Sequence, residues 1–437
     1  MRGTPNKPFP LSKAQLETLA QQYPTPFYLY DEAGIRQNAR AIRQAFSIFP
    51  LFKEHYAVKA LPNPFILKIL AEEGFGADCS SLPELLLAQN AGLRGEEVMF
   101  TSNETPAQEY HAALDMGAVI NLDDFTHISF LEQNARIPAL ISCRYNPGPL
   151  KGGNAIIGKP EEAKYGFTRE QILQAFPLLR DKGARRFALH AMAASNELNV
   201  AYHIETARIL FELAVELQVK TGVRLEFVNL GGGAGIPYTM EQEPLDYGCL
   251  AAGIRKAYDA IILPAGLDPL GIHTEWARAV TGPYGWLVAR AVHCKHIYRE
   301  YIGLDACMAD LMRPALYGAY HHITIPGKED APCTETYDVV GSLCENNDKF
   351  AVQRHLPKIE TGEATGDFVV IHDAGAHGRA MGFNYNGKLR CGELLLGSDG
   401  SLTLIRRKET LEDYFATLPP NPVPILKTGG EAEKRGI

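Results

Sequence analysis

The sequence predicts an α/β fold in which a parallel (β/α)8 barrel is followed by a second domain rich in β-strands. Three observations lead to this prediction. From about residue 27 to 280, short apolar runs alternate with stretches of helical period, in about eight pairs. Chemically reactive residues recur at the carboxyl ends of these runs, and a closed barrel brings such ends to one mouth. After about residue 281 the helical period gives way to successive strand-like runs.

The barrel domain is predicted over residues 27–281. Its strands are expected to be the apolar runs, and several of the intervening helical stretches end in Gly, a common C-terminal cap. The predicted strands are residues 56–60, 76–80, 98–102, 118–122, 139–146, 186–193, 225–230 and 271–276. The competing arrangement is a doubly wound open sheet, which would spread the reactive residues along one edge.

The second domain is predicted over residues 282–420, together with residues 1–26, as a β-sandwich or β-barrel. Runs such as TYDVVGSLC and DFVVIHDAGAHG have the composition of strands separated by turns. The tail, residues 421–437, is rich in Pro, Gly and charged residues and is predicted to be flexible.

Composition limits the possible classes of function. With 43 Lys and Arg residues against 51 Asp and Glu residues, the formal net charge is −8, which disfavours nucleic-acid and anionic-membrane partners. No apolar run approaches the roughly 20 residues of a membrane span, and the N-terminus does not resemble a secretion signal. The eight cysteines form no CxxC pair, so neither a metal site nor a disulfide framework is predicted. A reduced cytoplasmic enzyme is the simplest interpretation.

Lys59 ends the first predicted strand, YAVKA. Loss of hydration in a barrel mouth favours a neutral amine, which is the form that makes a Schiff base with an aldehyde. The alternative is a lysine that extends from the strand end into solvent.

A glycine-rich loop, NLGGGAGIPY (229–238), follows the seventh predicted strand. Gly231, Gly232 and Gly233 allow the backbone to approach an anion, and loops after strands seven and eight commonly bind phosphate in barrels. The spacing matches neither a dinucleotide loop nor a nucleoside-triphosphate loop. A tight loop without a ligand is the alternative.

The segment HTEWAR places Glu275 at the end of the eighth predicted strand and Arg278 three residues later. A carboxylate there can keep a cofactor's pyridine nitrogen protonated, and an arginine can bind a substrate carboxylate in a bidentate manner. An ordinary local Glu–Arg pair is the alternative.

Candidate residues also occur in the second domain. Arg313 and Tyr317 suit carboxylate recognition, while Cys344 beside Glu345 offers a proton donor and an acceptor for an ammonium group. Taken singly, each of these residues is more often structural.

Together these segments resemble the fold-type III pyridoxal-phosphate (PLP) decarboxylases, and among them the diaminopimelate decarboxylases. The resemblance extends from TPFYLYD at 25–31 to LIRRKETLEDYF at 404–415. It rests on YAVKA, RYNP (144–147), NLGGG (229–233), MRPALYGAYHH (312–322) and SLCENND (342–348). It implies an alanine-racemase-like, TIM-like barrel plus a β-domain.

The resemblance also implies site residues and an activity. PLP would be bound covalently by Lys59, and Cys344 would be the second catalytic residue. The implied cofactor contacts are Lys59, Asp78, Arg144, His190, Ser195, Gly231, Gly232, Gly233, Glu275 and His377, and the implied substrate contacts are Arg278, Arg313, Tyr317 and Glu345. The implied reaction converts meso-2,6-diaminopimelate to L-lysine and CO₂, the last step of lysine biosynthesis. Because the Cys344–Glu345 segment reaches the partner's barrel in this family, a homodimer with shared sites is implied.

The sequence departs from the family's pattern at four positions. The usual E-P-G-R contains Trp276 and Ala277, Met192 replaces a ring-stacking histidine, and His377 replaces a tyrosine. These departures leave open a decarboxylase of another diamino acid, such as D-lysine, D-ornithine or carboxynorspermidine. A non-catalytic PLP-binding relative is the remaining alternative.

Overall fold

The computed structural model describes residues 8–421, and the chain begins there with helix α1 (Lys13–Gln22) and strand β1 (Phe27–Asp31). The side chain of Ser12 caps α1 by accepting a hydrogen bond from the backbone of Gln15. Leu16 of this helix packs against Phe27 and Trp286 of the second domain. Residues 1–7, and the predicted flexible tail apart from residue 421, lie outside the described residues.

Eight parallel strands form a closed barrel in chain order. They are β2 (Phe52–Ala57), β3 (Gly76–Cys79), β4 (Val98–Thr101), β5 (Val119–Leu122), β6 (Leu140–Tyr145), β7 (Arg186–Ala191), β8 (Phe227–Asn229) and β9 (Gly271–Thr274). Pairing of β9 with β2 closes the barrel. The predicted barrel is confirmed, and its closure excludes the open sheet.

Helices before and after the barrel strands cover the barrel with their apolar faces. They are α2 (Glu32–Ala45), α3 (Pro64–Glu72), α4 (Leu82–Asn90), α5 (Ala107–Met116), α6 (Thr126–Asn134), α7 (Arg169–Asp181), α8 (Val200–Thr221), α9 (Tyr247–Ile261) and α10 (Arg278–Thr281). Gly117 and Gly222 end α5 and α8 in the left-handed conformation, as helix-terminal glycines commonly do. Within residues 8–421, no helix is both long and apolar enough to cross a membrane.

The second domain is built on a nine-stranded mixed sheet, which confirms the predicted β-rich domain. Its further elements are β10 (Gly285–His296), β11 (Glu300–Leu304), α11 (Arg313–Tyr317), β12 (Ile323–Thr324), β13 (Glu335–Val340), β14 (Lys349–Leu356), β15 (Phe368–Ile371), β16 (Gly392–Leu396), β17 (Leu402–Arg406) and α12 (Leu411–Phe415). The main path of the sheet is β14-β13-β11-β10-β1-β16-β17, and β15 joins β10 to β12.

Strand β1 belongs to this sheet and not to the barrel. The boundary predicted at residue 27 assigns it to the barrel domain, but β1 pairs antiparallel with β10 and parallel with β16. Both of its hydrogen-bonding edges are therefore occupied by the second domain. A buried polar cluster also joins the two domains, since Glu393 accepts hydrogen bonds from Tyr30 (2.8 Å) and Asn63 (3.1 Å).

Candidate active site

Lys59 lies at the carboxyl end of the barrel, in a short 3-10 turn (Val58–Ala60) directly after β2. The prediction that it ends the strand is corrected, because the strand covers residues 52–57. Its side chain lines a cavity of about 390 Å³ together with Gly232, Gly233 and Glu275. The side chain is exposed, so the predicted loss of hydration is not produced by this chain alone.

The glycine-rich loop approaches its neighbours so closely that side chains would not fit. Gly231 and Gly233 have positive φ angles of 70° and 103°. A Cβ atom on Gly231 would lie 2.0 Å from the carbonyl oxygen of Ala191, and one on Gly232 would lie 2.9 Å from that of Glu275. The loop therefore presents bare backbone to the cavity, as the binding of an anion requires.

Glu275 follows β9 and is a buried, ionised carboxylate. One oxygen lies 2.9 Å from Nε2 of His190, and the other accepts a hydrogen bond of 2.7 Å from Asn229. Burial alone raises the pKa of Glu275, but the charge and hydrogen bond of His190 outweigh burial and lower the pKa to about 2. The two neighbours fix the carboxylate at the cavity wall.

Asp78, in β3, is the second buried carboxyl group of this cavity. Burial, and next the negative charge of Glu275, raise the pKa of Asp78 well above its usual range. Its Oδ1 atom has no hydrogen-bond partner within the described residues. The pKa values of the two acids are therefore shifted in opposite directions, down for Glu275 and up for Asp78.

These groups fit PLP. Lys59 supplies an amine for the aldehyde, the glycine loop supplies a cradle for the phosphate, and Glu275 supplies a carboxylate for a protonated pyridine nitrogen. The buried atoms Asp78 Oδ1 and His190 Nδ1 have no partner among residues 8–421, which is the expected condition of groups that await a ligand or water.

Arg144 also lines this cavity, and its charge is compensated within the chain. Its Nε and Nη2 atoms donate to one oxygen of Asp123 at 2.8 and 2.5 Å, and the guanidinium lies 4.6 Å above the ring of Tyr165. Both members of the ion pair are buried, and burial raises the pKa of Asp123 in spite of the adjacent cation. The pair therefore fixes the position of Arg144 at a cost in desolvation.

A second cavity of about 610 Å³ adjoins the first and shares Ser195, Arg278 and His377 with it. Arg313 and Tyr317, two of the predicted substrate residues, line this second cavity. The structure therefore brings the predicted cofactor and substrate residues of the barrel mouth next to each other. Ser195 stands at the junction, where its backbone N–H donates to Asn154 Oδ1 at 3.1 Å.

Two buried arginines in the second cavity share one tyrosine. Arg278 and Arg313 donate to the hydroxyl oxygen of Tyr238 at 2.5 and 2.7 Å. Neither guanidinium forms an ion pair with a carboxylate of residues 8–421. Burial, and also the charge of Arg313, lower the pKa of Arg278. The sequence analysis missed Tyr238, although it ends the loop in which the glycines were noticed.

The E-W-A-R segment has a local physical explanation. Ala277 has φ −134° and ψ −56°, so this position does not need the left-handed conformation that favours glycine. The backbone N–H of Trp276 donates to Glu54 at 2.5 Å, and its ring stacks on Tyr247 at 5.8 Å between centroids. Proline has no N–H, so only a residue other than proline can supply this hydrogen bond to the buried Glu54.

The other two departures lie at the cavity walls. Met192 lines the first cavity beside Gly232. His377 lines both cavities, and its backbone N–H donates to the carbonyl oxygen of Ala60 at 2.8 Å. Burial, reinforced by the charge of Arg278, lowers the pKa of His377 well below its usual value. A neutral imidazole therefore occupies the position where the family has a neutral phenol.

The structure does not bring Cys344 and Glu345 to the cavities of their own chain, since neither residue lines them. Asp348 fixes this segment by accepting hydrogen bonds from the backbones of Met308 (2.6 Å) and Leu343 (2.7 Å). Cys344 is exposed. The segment is thus a fixed loop in which Cys344, the predicted second catalytic residue, is exposed and Glu345 is half-buried.

Comparisons with known proteins agree with this geometry. Residues 32–282 match the family described as "Pyridoxal-dependent decarboxylase, pyridoxal binding domain". The chain is 42% identical to Protein TabA of Pseudomonas amygdali pv. tabaci, over 96% of each chain. It is 34% identical to the diaminopimelate decarboxylase of Methanothermobacter thermautotrophicus, over 91% of this chain and 92% of that protein.

A solved structure extends the similarity to the whole fold. The crystal structure of diaminopimelate decarboxylase from Helicobacter pylori, complexed with L-lysine, superposes with a TM-score of 0.82 at 30% identity. The alignment covers 92% of this chain and 98% of that one. Both the barrel and the mixed sheet are therefore shared.

Proposed function

The chain belongs to the pyridoxal-dependent decarboxylases, and we propose that within this family it converts meso-2,6-diaminopimelate to L-lysine and CO₂. One observation carries the choice of substrate. Arg278 and Arg313 are buried cations without a carboxylate partner among the described residues, in the cavity next to Lys59. A substrate with a second carboxylate, distant from the reacting one, supplies the missing negative charge.

The roles proposed for the residues follow from their surroundings. PLP supplies an electron sink for the electron pair that remains when the carboxylate leaves as CO₂. Glu275, kept ionised by His190 and Asn229, holds a proton at the ring nitrogen. Gly231, Gly232 and Gly233 would hold the phosphate with their backbone, and Lys59 would provide the amine that anchors the aldehyde.

The proton that returns to the α-carbon is assigned to Cys344, or to the amine of Lys59. Cys344 faces outward from its own chain, so we assign this role to Cys344 of a second copy, with Glu345 beside it for the distal ammonium group. The active enzyme is then a homodimer with shared sites.

Co-expression of two inactive variants tests the shared site. Lys59→Ala and Cys344→Ala each inactivate the homodimer, whereas a mixed dimer contains one intact site. Random pairing is expected to restore up to about a quarter of wild-type activity. No recovery, with mixed dimers demonstrated by differential tags, would contradict the shared site.

A substrate panel tests the reaction. CO₂ release is compared for meso-diaminopimelate, D-lysine, D-ornithine and carboxynorspermidine. We expect kcat/KM for diaminopimelate to exceed that for D-lysine by at least about 100-fold, because D-lysine leaves both arginines unpaired. Purified Lys59→Ala is expected to lose the imine absorbance and turnover. Faster release from a substrate without a distal carboxylate would contradict the proposed substrate.

A decarboxylase of a different diamino acid remains the second candidate, and Met192 and His377 favour it. Both residues line the cavities and both depart from the diaminopimelate decarboxylase pattern. The relative at 42% identity, Protein TabA, has a name that states no substrate. The same panel separates the two candidates.

A further inference from the structure

Tyr238 is buried and contacts both Arg278 and Arg313. We propose that Tyr238 is the positioning residue that holds Arg278 and Arg313 together as one clamp for a carboxylate and adds its own hydroxyl proton as a further donor. This inference rests on the proposed function and identifies which group of the substrate the clamp takes.

The first step of the argument concerns charge. The guanidiniums of Arg278 and Arg313 both lie within hydrogen-bond distance of one oxygen atom. Two like charges this close repel each other, and burial increases the repulsion. The hydroxyl oxygen of Tyr238 is the shared acceptor that keeps them together before a ligand arrives, and the phenol ring lies 5.8 and 5.2 Å from the two guanidinium carbons.

The second step concerns hydrogen-bond capacity. A tyrosine hydroxyl has one proton and two acceptor positions, and the two arginines occupy both of the acceptor positions. The proton of Tyr238 is therefore directed to another acceptor, and the side chain lines the second cavity. A carboxylate offers about four acceptor positions, enough for donors from both arginines and the tyrosine.

The third step concerns the backbone that carries Tyr238. The same loop lines the first cavity at Gly232 and Gly233 and the second cavity at Tyr238. Hydrogen bonds fix its far end, since the backbone N–H of Tyr238 donates to Gln242 at 2.8 Å and that of Ile236 donates to Asn196 at 2.9 Å. The distance from the cofactor cradle to the clamp is therefore set by one fixed loop, and so is the length of the substrate that spans it.

The test compares Tyr238→Phe with Tyr320→Phe in the holoenzyme. Tyr320 lines the same cavity, but its ring lies 4.0 Å from Arg354 and not between the clamp arginines. The probe is pimelate, a seven-carbon dicarboxylate without amino groups, and its affinity is measured by calorimetric titration and by inhibition of CO₂ release. Unfolding temperature and cofactor absorbance verify that both variants are folded and loaded.

We expect Tyr238→Phe to weaken pimelate binding by at least about tenfold and to raise KM for diaminopimelate similarly, with kcat changed less than about threefold. Tyr320→Phe is expected to keep both constants within about twofold. Equal pimelate affinity in wild type and Tyr238→Phe would overturn the proposal, and so would a wild type that does not bind pimelate. Because pimelate binding is measured separately from turnover, a failure of the proposed substrate remains distinguishable from a failure of the clamp.

Discussion

The two adjoining cavities differ in how their buried charges are balanced. In the cavity of Lys59, Arg144 is paired with Asp123, and Glu275 is held by His190 and Asn229. In the neighbouring cavity, Arg278 and Arg313 share the hydroxyl oxygen of Tyr238, and neither forms an ion pair with a carboxylate of residues 8–421. The difference indicates which region is complete without substrate. Under the proposed function, the charges beside the cofactor are balanced by the protein, whereas the two arginines assigned to the substrate are left for the substrate to balance.

The largest expected effect is on the reaction rate, and it comes from removing the negative charge of Glu275 in the cavity of Lys59. Glu275→Gln removes the charge to which we assign protonation of the ring nitrogen, and we expect the rate constant of CO₂ release to fall by about 1000-fold in single-turnover measurements. Glu54→Gln is the matched control, because Glu54 is also a buried carboxyl group of the barrel but lines neither cavity, and burial raises its pKa well above its usual range. A loss of less than tenfold for Glu275→Gln would contradict the role of its charge.

The next effect is on the stability of the protein, and it tests the buried ion pair between Arg144 and Asp123. Asp123→Asn leaves Arg144 buried without its counter-charge, and we expect the free energy of unfolding to fall by about 3 kcal/mol in urea denaturation. The double variant Asp123→Asn/Arg144→Met should recover part of this loss, since the unpaired cation is also removed. If the single and double variants are equally destabilised, the pairing is not the cause.

A smaller effect is expected from pH, through His321 beside Arg313. Burial, and next the charge of Arg313, lower the pKa of His321 to about 3, compared with about 6.5 when unfolded. The contribution of this histidine to the free energy of unfolding is fully present above pH 6.5. It is lost as the pH falls towards 3, because the histidine of the unfolded chain takes up a proton at a higher pH than that of the folded chain. We expect a loss of about 1.4 kcal/mol per pH unit below 6.5 from this residue.

Denaturation between pH 5 and 7 measures this slope. His321→Asn should lower the dependence of the free energy of unfolding on pH by the amount that one proton contributes, about 1.4 kcal/mol per pH unit. His55, in the barrel, has a pKa lowered to about 4 by burial and gives a matched comparison away from the arginines. A saturating dicarboxylate is expected to raise the pKa of His321 more than that of His55, because only His321 adjoins the two arginines that would bind the carboxylate.

The smallest expected effect has the opposite sign. Arg313→Leu removes one of the unbalanced cations, so we expect the ligand-free protein to become more stable by about 1 kcal/mol while its preference for a substrate with a distal carboxylate disappears. Thermal unfolding and the substrate panel measure both properties on the same sample. Destabilisation of the ligand-free variant would show that Arg313 is already balanced in the protein.

The sequence predicted the barrel well because its strands are buried on both faces and read as apolar runs. Lys59 lies in a turn after the strand and not in the strand. The prediction was wrong on this point because an apolar run does not show at which residue the extended backbone ends. Strand β1 was assigned to the wrong domain, since its partners β10 and β16 are distant in the chain. Pairings of this kind leave no local pattern.

Residues of the candidate site could be predicted from the sequence only where they belong to a short motif. Tyr238 escaped notice because its importance depends on arginines 40 and 75 residues away. The replacement of proline by Trp276 is explained only by the structure, where the backbone N–H of Trp276 donates to Glu54. Glu54 lies in β2, the strand that pairs with β9 to close the barrel. In the proposed homodimer the surroundings of Cys344 come from a second copy of the chain, and no local sequence pattern shows how two copies pack.

The position of β1 has a consequence for synthesis on the ribosome. This strand is made before the barrel, whereas its partners β10 and β16 are both made after the barrel, so both of its edges stay unpaired while the barrel segments emerge. A truncated chain that ends after the barrel would expose both edges of β1 and invite aggregation. Attempts to produce the barrel alone should therefore begin after Asp31.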